Sequence, residues 1–202
     1  MRSCFRAVYR ARHSILTAAL AYVVSISVGA VMVHEGNSFA LDYRDKLVGD
    51  AAQHDPAAIA NIEGNNVRAA LLDFSGNLVM GAIPKTIAGG SIVFAYPLVL
   101  YQGWIGGIVS VRGDHTSRLN SPRPAFYYLL TLILQIVPYS LAVGAGVNAG
   151  IALIRPAVYY QGGKWWRIFP KESIRDVVRI YVFVVPLFLA ASFWEFLSTW
   201  NF

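Results

Sequence analysis

Apolar residues are gathered into long runs along this chain, and ionisable residues are confined mainly to the segments between them. Residues 14–33, 87–111, 125–154 and 180–200 form four such runs, and 66–84 forms a fifth that also carries Arg68, Asp73 and Asn77. An α-helix needs roughly 20 residues to cross about 30 Å of hydrocarbon, and these runs are long enough. A soluble domain would spread its charges over its surface instead. The pattern therefore predicts an all-α membrane protein: a polytopic bundle of about five transmembrane helices with short interfacial helices, forming a single transmembrane domain over 1–202. Segment 66–84 is the ambiguous one. Asn66, Asp73 and Asn77 recur at i, i+7 and i+11, one stripe of a helix. Both a spanning helix with an inward polar face and an interfacial or re-entrant helix fit; the spanning reading is carried forward, since bundles accommodate such residues on inward faces.

The segments between the runs set the orientation. Arg2, Arg6, Arg10 and Arg12 precede the first run with no acidic residue among them. The apolar stretch that follows exceeds the 7–15 residues usual in a signal peptide, so an uncleaved first helix with cytoplasmic arginines is the better reading. Segment 34–64 holds Glu35, Asp42, Asp45, Asp50, Asp55 and Glu63 against Arg44 and Lys46, which suits an outer location. Within it, Asp55 followed by Pro56 resembles an N-cap with proline at the first helical position. Leu47, Val48, Ile59 and Ile62 suggest short amphipathic helices. A turn is expected at 84–86, a kink at Pro97, an outer loop at 112–124, and a kink or break at Pro138. Segment 155–179 carries Arg155, Lys164, Arg167, Lys171, Arg175 and Arg179, together with Trp165 and Trp166, and reads as a cytoplasmic interfacial element. Five crossings put both basic segments in the cytoplasm and the C-terminus outside, although the moderately basic 112–123 loop argues mildly against this arrangement.

Composition narrows the chemistry. Hydrophobic residues make up 56% and charged ones 14%, well under the roughly 25% charged of a globular domain. The net charge of +6 could suggest nucleic acid. Its placement at helix ends is better explained by orientation and membrane lipids, and no nucleic-acid partner is expected. The single cysteine, Cys4, excludes an intramolecular disulfide and a cysteine-rich metal site. His34 and Glu35 begin like H-E-x-x-H, but position 38 is serine, and the four histidines are scattered. With no nucleophile elbow, phosphate loop or paired intramembrane aspartates, the sequence reads as non-enzymatic, with no cofactor and no metal.

Two constellations stand out. Small residues recur four apart at Ala21, Ser25 and Gly29, at Gly103 and Gly107, and at Ala142, Gly146 and Gly150. Such spacing lets helix backbones approach closely in lipid, either inside one subunit or between subunits. The predicted topology also gathers Asn66, Arg68, Gln102 and Glu195 near the outer leaflet, with Arg68–Glu195 as the expected ion pair. That cluster reads either as a clamp between helices or as a substrate or partner contact.

Four stretches carry a family resemblance: NNVRAALLDFSGNLVMGAIP (65–84), LYQGWIGGIVS (100–110), VPYSLAVGAGVNAGIAL (137–153) and RDVVRIYVFVVPLFLAASFWEF (175–196). In this order they resemble the stage II sporulation protein M family, over about two-thirds of the chain. By that resemblance Asn66, Arg68, Gly76 and Gly81 match an asparagine-led, glycine-spaced helix, Gln102 and Gly103 stand in place of Asn-Gly, and Glu195 matches a late-helix glutamate. The family often has a histidine after the proline at 138 and a glutamate shortly beyond; this chain has Tyr139 and apolar residues. The resemblance implies a membrane protein without enzymatic activity of its own, working in a larger assembly. The first functional expectation is thus a scaffold or accessory subunit, docking other membrane subunits or a second copy through its small-residue faces and the 34–64 segment. The runner-up is a permease-type transport subunit energised by a separate ATPase bound at 155–179.

Overall fold

The computed structural model describes residues 1–155, 160, 164–165 and 169–200. Among these the chain is helical apart from loops and one short antiparallel ladder, Lys164–Trp165 (β1) against Phe169–Pro170 (β2). The helices are α1 (Arg2–His34), α2 (Ser38–His54), α3 (Pro56–Ile62), α4 (Asn66–Ser75), α5 (Ile83–Gly89), α6 (Ala95–Ile108), α7 (Pro122–Ile154) and α8 (Lys171–Leu197). A π-helical stretch, Gly76–Ala82, joins α4 to α5, and a 3-10 turn covers Arg118–Asn120. Three helices, α1, α7 and α8, are long and apolar enough to cross a membrane, which marks the chain as a helical membrane protein.

Local chemistry explains the boundaries of the short helices. Gly36 and Gly64 adopt φ of 73° and 80°, the left-handed conformation that ends a helix most readily at glycine. Behind each, two amides fold back onto the last turn: Gly36 and Asn37 donate to Val33 and Met32, and Gly64 and Asn65 donate to Asn61 and Ala60. The next helix is then capped at once. Asn37 Oδ1 accepts from the Ala40 amide, Asp55 Oδ1 from Ala57, and Asn65 Oδ1 from Arg68. Pro56 sits at the start of α3, where its missing N–H costs nothing.

Several predicted boundaries are corrected. Helix α1 begins at Arg2, not near residue 14, because Ala7 and Ala11 are fully buried and draw the arginine-bearing turns into the bundle. The turn expected at 84–86 is helical. The run 66–89 continues through Pro84, since the π-helical stretch before it shifts the bonding pattern, with the Ile83 amide donating to Leu78 O five residues back. The expected helix over 87–111 is broken: α5 ends at Gly89, residues 90–94 turn with Ile92 at φ 59°, and α6 starts at Ala95. Pro97 therefore lies in the first turn of α6 and kinks nothing. Pro138 lies inside an unbroken α7. The last helix starts at Lys171, so 171–179 of the basic segment belong to α8. Trp166 and Arg167, part of the interfacial reading, lie outside the described residues.

Helix α7 is the axis of the bundle, with every residue in 138–150 buried. Helix α8 runs antiparallel to it, with Tyr127 against Glu195, Tyr139 against Phe188, and Asn148 reaching Asp176 through Tyr160. The run 66–89 is antiparallel to α8: Asp73 meets Ser192 at one end and Thr86 meets Tyr181 at the other. Helices α1 and α6 are parallel, with Thr17 bonded to Tyr96 and Tyr22 to Gln102. Glycine sets these distances. A Cβ on Gly103 would come 2.9 Å from Tyr22 O, and one on Gly107 would press on Ile26 O and lie 2.7 Å from the Ala30 amide. Gly146 and Gly150 meet the backbone of Thr86 and Gly90 in the same way, and Gly144 seats Ile15. These glycine faces are occupied within the subunit.

The end opposite α2 and α3 is tied by charge. Asp176 of α8 is 1% exposed and accepts from Arg10 Nε (2.6 Å) and Nη2 (2.5 Å), from Arg179 Nη1 (2.9 Å) and from Tyr160 OH (3.0 Å). Asn148 Nδ2 donates to Tyr160 OH at 2.8 Å, so one carboxylate links α1, α7 and α8. Burial, and then the neighbouring Asp176 charge, push the Tyr160 phenol up to about 12.

Candidate functional site

The four residues expected to cluster separate into two pairs. Arg68 lies 3.7 Å from Glu63, and both side chains are more than half exposed, so the expected Arg68–Glu195 ion pair is not formed. The helix explains why. At about 100° per residue, position 68 points some 140° away from position 73, the one that meets α8. Asn66 is also exposed on the first turn of α4. Gln102 and Glu195, by contrast, converge through a residue the sequence reading passed over. Gln135 of α7 donates to Glu195 Oε2 at 2.8 Å and shares with Gln102, Tyr22 and Tyr139 a small void of about 40 Å³. Gln102 Oε1 accepts from Tyr22 OH at 3.1 Å.

The stripe that carried Asn66, Asp73 and Asn77 supplies the centre. Asp73 Oδ2 accepts from Ser192 Oγ at 2.6 Å and from Asn77 Nδ2 at 2.9 Å. Asn77 Oδ1 accepts from Tyr139 OH at 2.6 Å. Asn77 lies in the π-helical stretch, whose Gly81 leaves room for the Tyr139 ring; a Cβ there would lie 2.5 Å from the phenol oxygen. Gly76, the other packing candidate of this segment, has nothing within 4 Å of its Cβ position and holds no neighbour. The Lys85 ammonium sits over the Tyr139 ring at 4.5 Å, closing the network toward α5.

Asp73 and Glu195 both line a cleft of about 430 Å³ at the α2–α3 end. Its roof is the short-helix layer, with Val48, Ala52, Ala58 and Ile62 contributing apolar surface and Asp55 and Asn61 polar groups. Arg118 and Tyr127 complete the wall. Among the described residues neither Asp73 nor Glu195 has a cation within salt-bridge distance. Arg118 has a buried Nε without a hydrogen-bond partner, and burial, then the Arg44 charge, lower its pKa. The cleft can therefore hold a cationic group against two carboxylates, or an anionic one against Arg118.

Above the cleft, α2 is tied to the 109–121 loop. His115 Nε2 of the loop lies 2.9 Å from Asp45 Oδ2, whose Oδ1 accepts at 2.8 Å from Arg44 Nη1 of α2 itself, and the end of α1 joins the same loop through His34 Nε2, 2.7 Å from Ser117 Oγ. The Arg44 hydrogen bond, followed by that of His115, holds the Asp45 carboxyl below the usual aspartate value. Among the described residues no three histidine, cysteine, aspartate or glutamate side chains form a metal-holding group. The chain matches no family model, no curated protein and no solved structure.

Proposed function

We propose that this chain is a non-enzymatic, five-crossing membrane subunit of permease type, whose outward cleft receives a small cationic solute at Asp73 and Glu195. The observation that carries the reading is that two carboxylates on antiparallel helices, α4 and α8, face one 430 Å³ cleft without an ion-pair partner among the described residues. Ionisable groups at such depth are costly in a membrane and are found chiefly where a ligand, ion or proton passes. Five crossings are supported by the run 66–89, about 36 Å long at 1.5 Å per residue, lying along α8. They are supported as well by α6 continuing the bundle beside α1. With Arg2, Arg6, Arg10 and Arg12 in the cytoplasm, the cleft opens outside. A π-helical stretch that begins three residues after Asp73 fits this role, because such widened turns concentrate at functional sites. A separate ATPase at the basic 155–179 segment would supply the energy.

The accessory-subunit reading is the second. It is favoured by the resemblance to the stage II sporulation protein M family and by Phe39 (64%) and Ile62 (70%), exposed on the α2–α3 layer where a partner could cover them. It no longer draws on the glycine faces, which are filled from within. Asp73→Asn and Glu195→Gln separate the two readings in native membrane vesicles, which retain any partner ATPase. Loss of uptake from a panel of small organic cations, with co-purifying partners unchanged, supports the permease. Vesicles in which wild type and variants take up the panel no faster than vesicles lacking the protein refute it, and loss of partners with unaffected uptake installs the accessory subunit.

A further inference from the structure

The geometry points to a second binding site, at the arginine-bearing end: a cleft between α1 and α8 that holds the phosphate of an acidic phospholipid. Arg2, Arg6 and Arg10 are spaced four apart, so they share one face of α1. Together with Arg179, Ser3 and Glu172 they line a cleft of about 390 Å³, four guanidinium groups around a single carboxylate. The carboxylates nearby are already committed. Asp176 takes Arg10 and Arg179, and Glu172 takes Arg175 and Arg179. Among the described residues Arg2 and Arg6 have no carboxylate within 4.0 Å. The cleft therefore carries uncompensated positive charge, in the planar forked form that matches phosphate oxygens in pairs.

What distinguishes a lipid from a soluble phosphate is the flank. Between the arginines, Phe5 and Tyr9 are 61% and 66% exposed, and the Phe5 ring lies 5.2 Å from Phe183 in the apolar part of α8. The polar cleft thus runs directly onto apolar surface of a helix long enough to cross the bilayer. A free anion would use the arginines alone. A lipid uses both, its headgroup on Arg2 and Arg6 and its acyl chain along Phe5 and Phe183.

The test uses the full chain in phosphatidylcholine nanodiscs with and without phosphatidylglycerol, with retained phosphatidylglycerol read by native mass spectrometry. Arg2→Gln/Arg6→Gln is expected to lower its affinity about fivefold per arginine, roughly 30-fold together. Arg2→Lys/Arg6→Lys, which keeps the charge, is expected to retain most of it. Arg12→Gln/Arg155→Gln removes two basic residues outside the cleft and is expected to leave retention unchanged. An equal loss in that control means diffuse surface attraction and overturns the site. Undiminished retention in Arg2→Gln/Arg6→Gln overturns it as well, as does unfolding of both the glutamine and lysine pairs, which would make the arginines structural. Displacement of phosphatidylglycerol by equimolar soluble glycerol phosphate would show that the cleft reads phosphate alone, and the lipid assignment fails.

Discussion

Asp176→Asn is the substitution that bears most directly on how the bundle is held together. The carboxylate is 1% exposed and accepts four hydrogen bonds, three of them from arginine. Asparagine keeps one acceptor oxygen, presents an N–H₂ group toward a guanidinium, and removes the charge that Arg10 and Arg179 share. Breaking a fully buried pair by deleting one partner costs about 3–5 kcal/mol. Here the side chains of Arg10 and Arg179 are 24% and 29% exposed and regain some water, which lowers the expectation to about 2–3 kcal/mol. For a chain of this size that is roughly 5–10 °C in Tm. Arg10→Gln is expected to cost only about 1 kcal/mol, because Arg179 and Tyr160 still satisfy Asp176. Thermal unfolding in one detergent, followed by tryptophan fluorescence, measures both variants and their combination. The double variant should fall short of the sum by about 1 kcal/mol or more. An Asp176→Asn protein within about 0.5 kcal/mol of wild type, or strict additivity in the double variant, would refute the shared-carboxylate account.

Two further outcomes are expected. Gly107→Ala should destabilise the protein by about 1–3 kcal/mol, since its Cβ meets the α1 backbone rather than a side chain that can move, whereas Gly76→Ala should be neutral or slightly stabilising because nothing lies within 4 Å; equal Tm shifts for the two would contradict the packing described. The Asp45 contact should be sensitive to acid: its folded pKa is lowered, so the tie from α2 to the 109–121 loop is present above the ordinary aspartate value of about 3.9 and is lost as pH falls through the lower folded value. Amide exchange in α2 should therefore rise at low pH in wild type and already be raised at neutral pH in Asp45→Asn; protection that is flat with pH in both would dismiss the tie.

The Asp73–Asn77 stripe was readable from residue spacing, because seven and eleven residues on a helix return to one face whatever lies opposite. The same angular argument already separates Arg68 from that face, so the signal against the Arg68–Glu195 pair was present in the numbering. Gln135 and Ser192 carried no such signal. Each is an uncharged polar residue with apolar neighbours on both sides, and its importance comes from a carboxylate on another helix. The glycines were legible as close-contact positions, but spacing is identical for a contact inside the subunit and one between subunits. Only the placement of α1 against α6, and of 66–89 against α7, put the partner backbone of each within the subunit.

By itself the sequence determined what depends on short range: which stretches are apolar enough to be helices in a membrane, where Asp55 and Pro56 start one, and which residues share a face. Tertiary structure decided what depends on neighbours distant in the chain. It carried the helix through Pro84 and Pro138, stopped it at Gly89, and brought Asp73, Glu195 and Arg118 to one cleft. The physical reason is the range of the interactions. Backbone hydrogen bonds and hydropathy act within a few residues, whereas the partner of a buried charge is whichever helix packing places beside it.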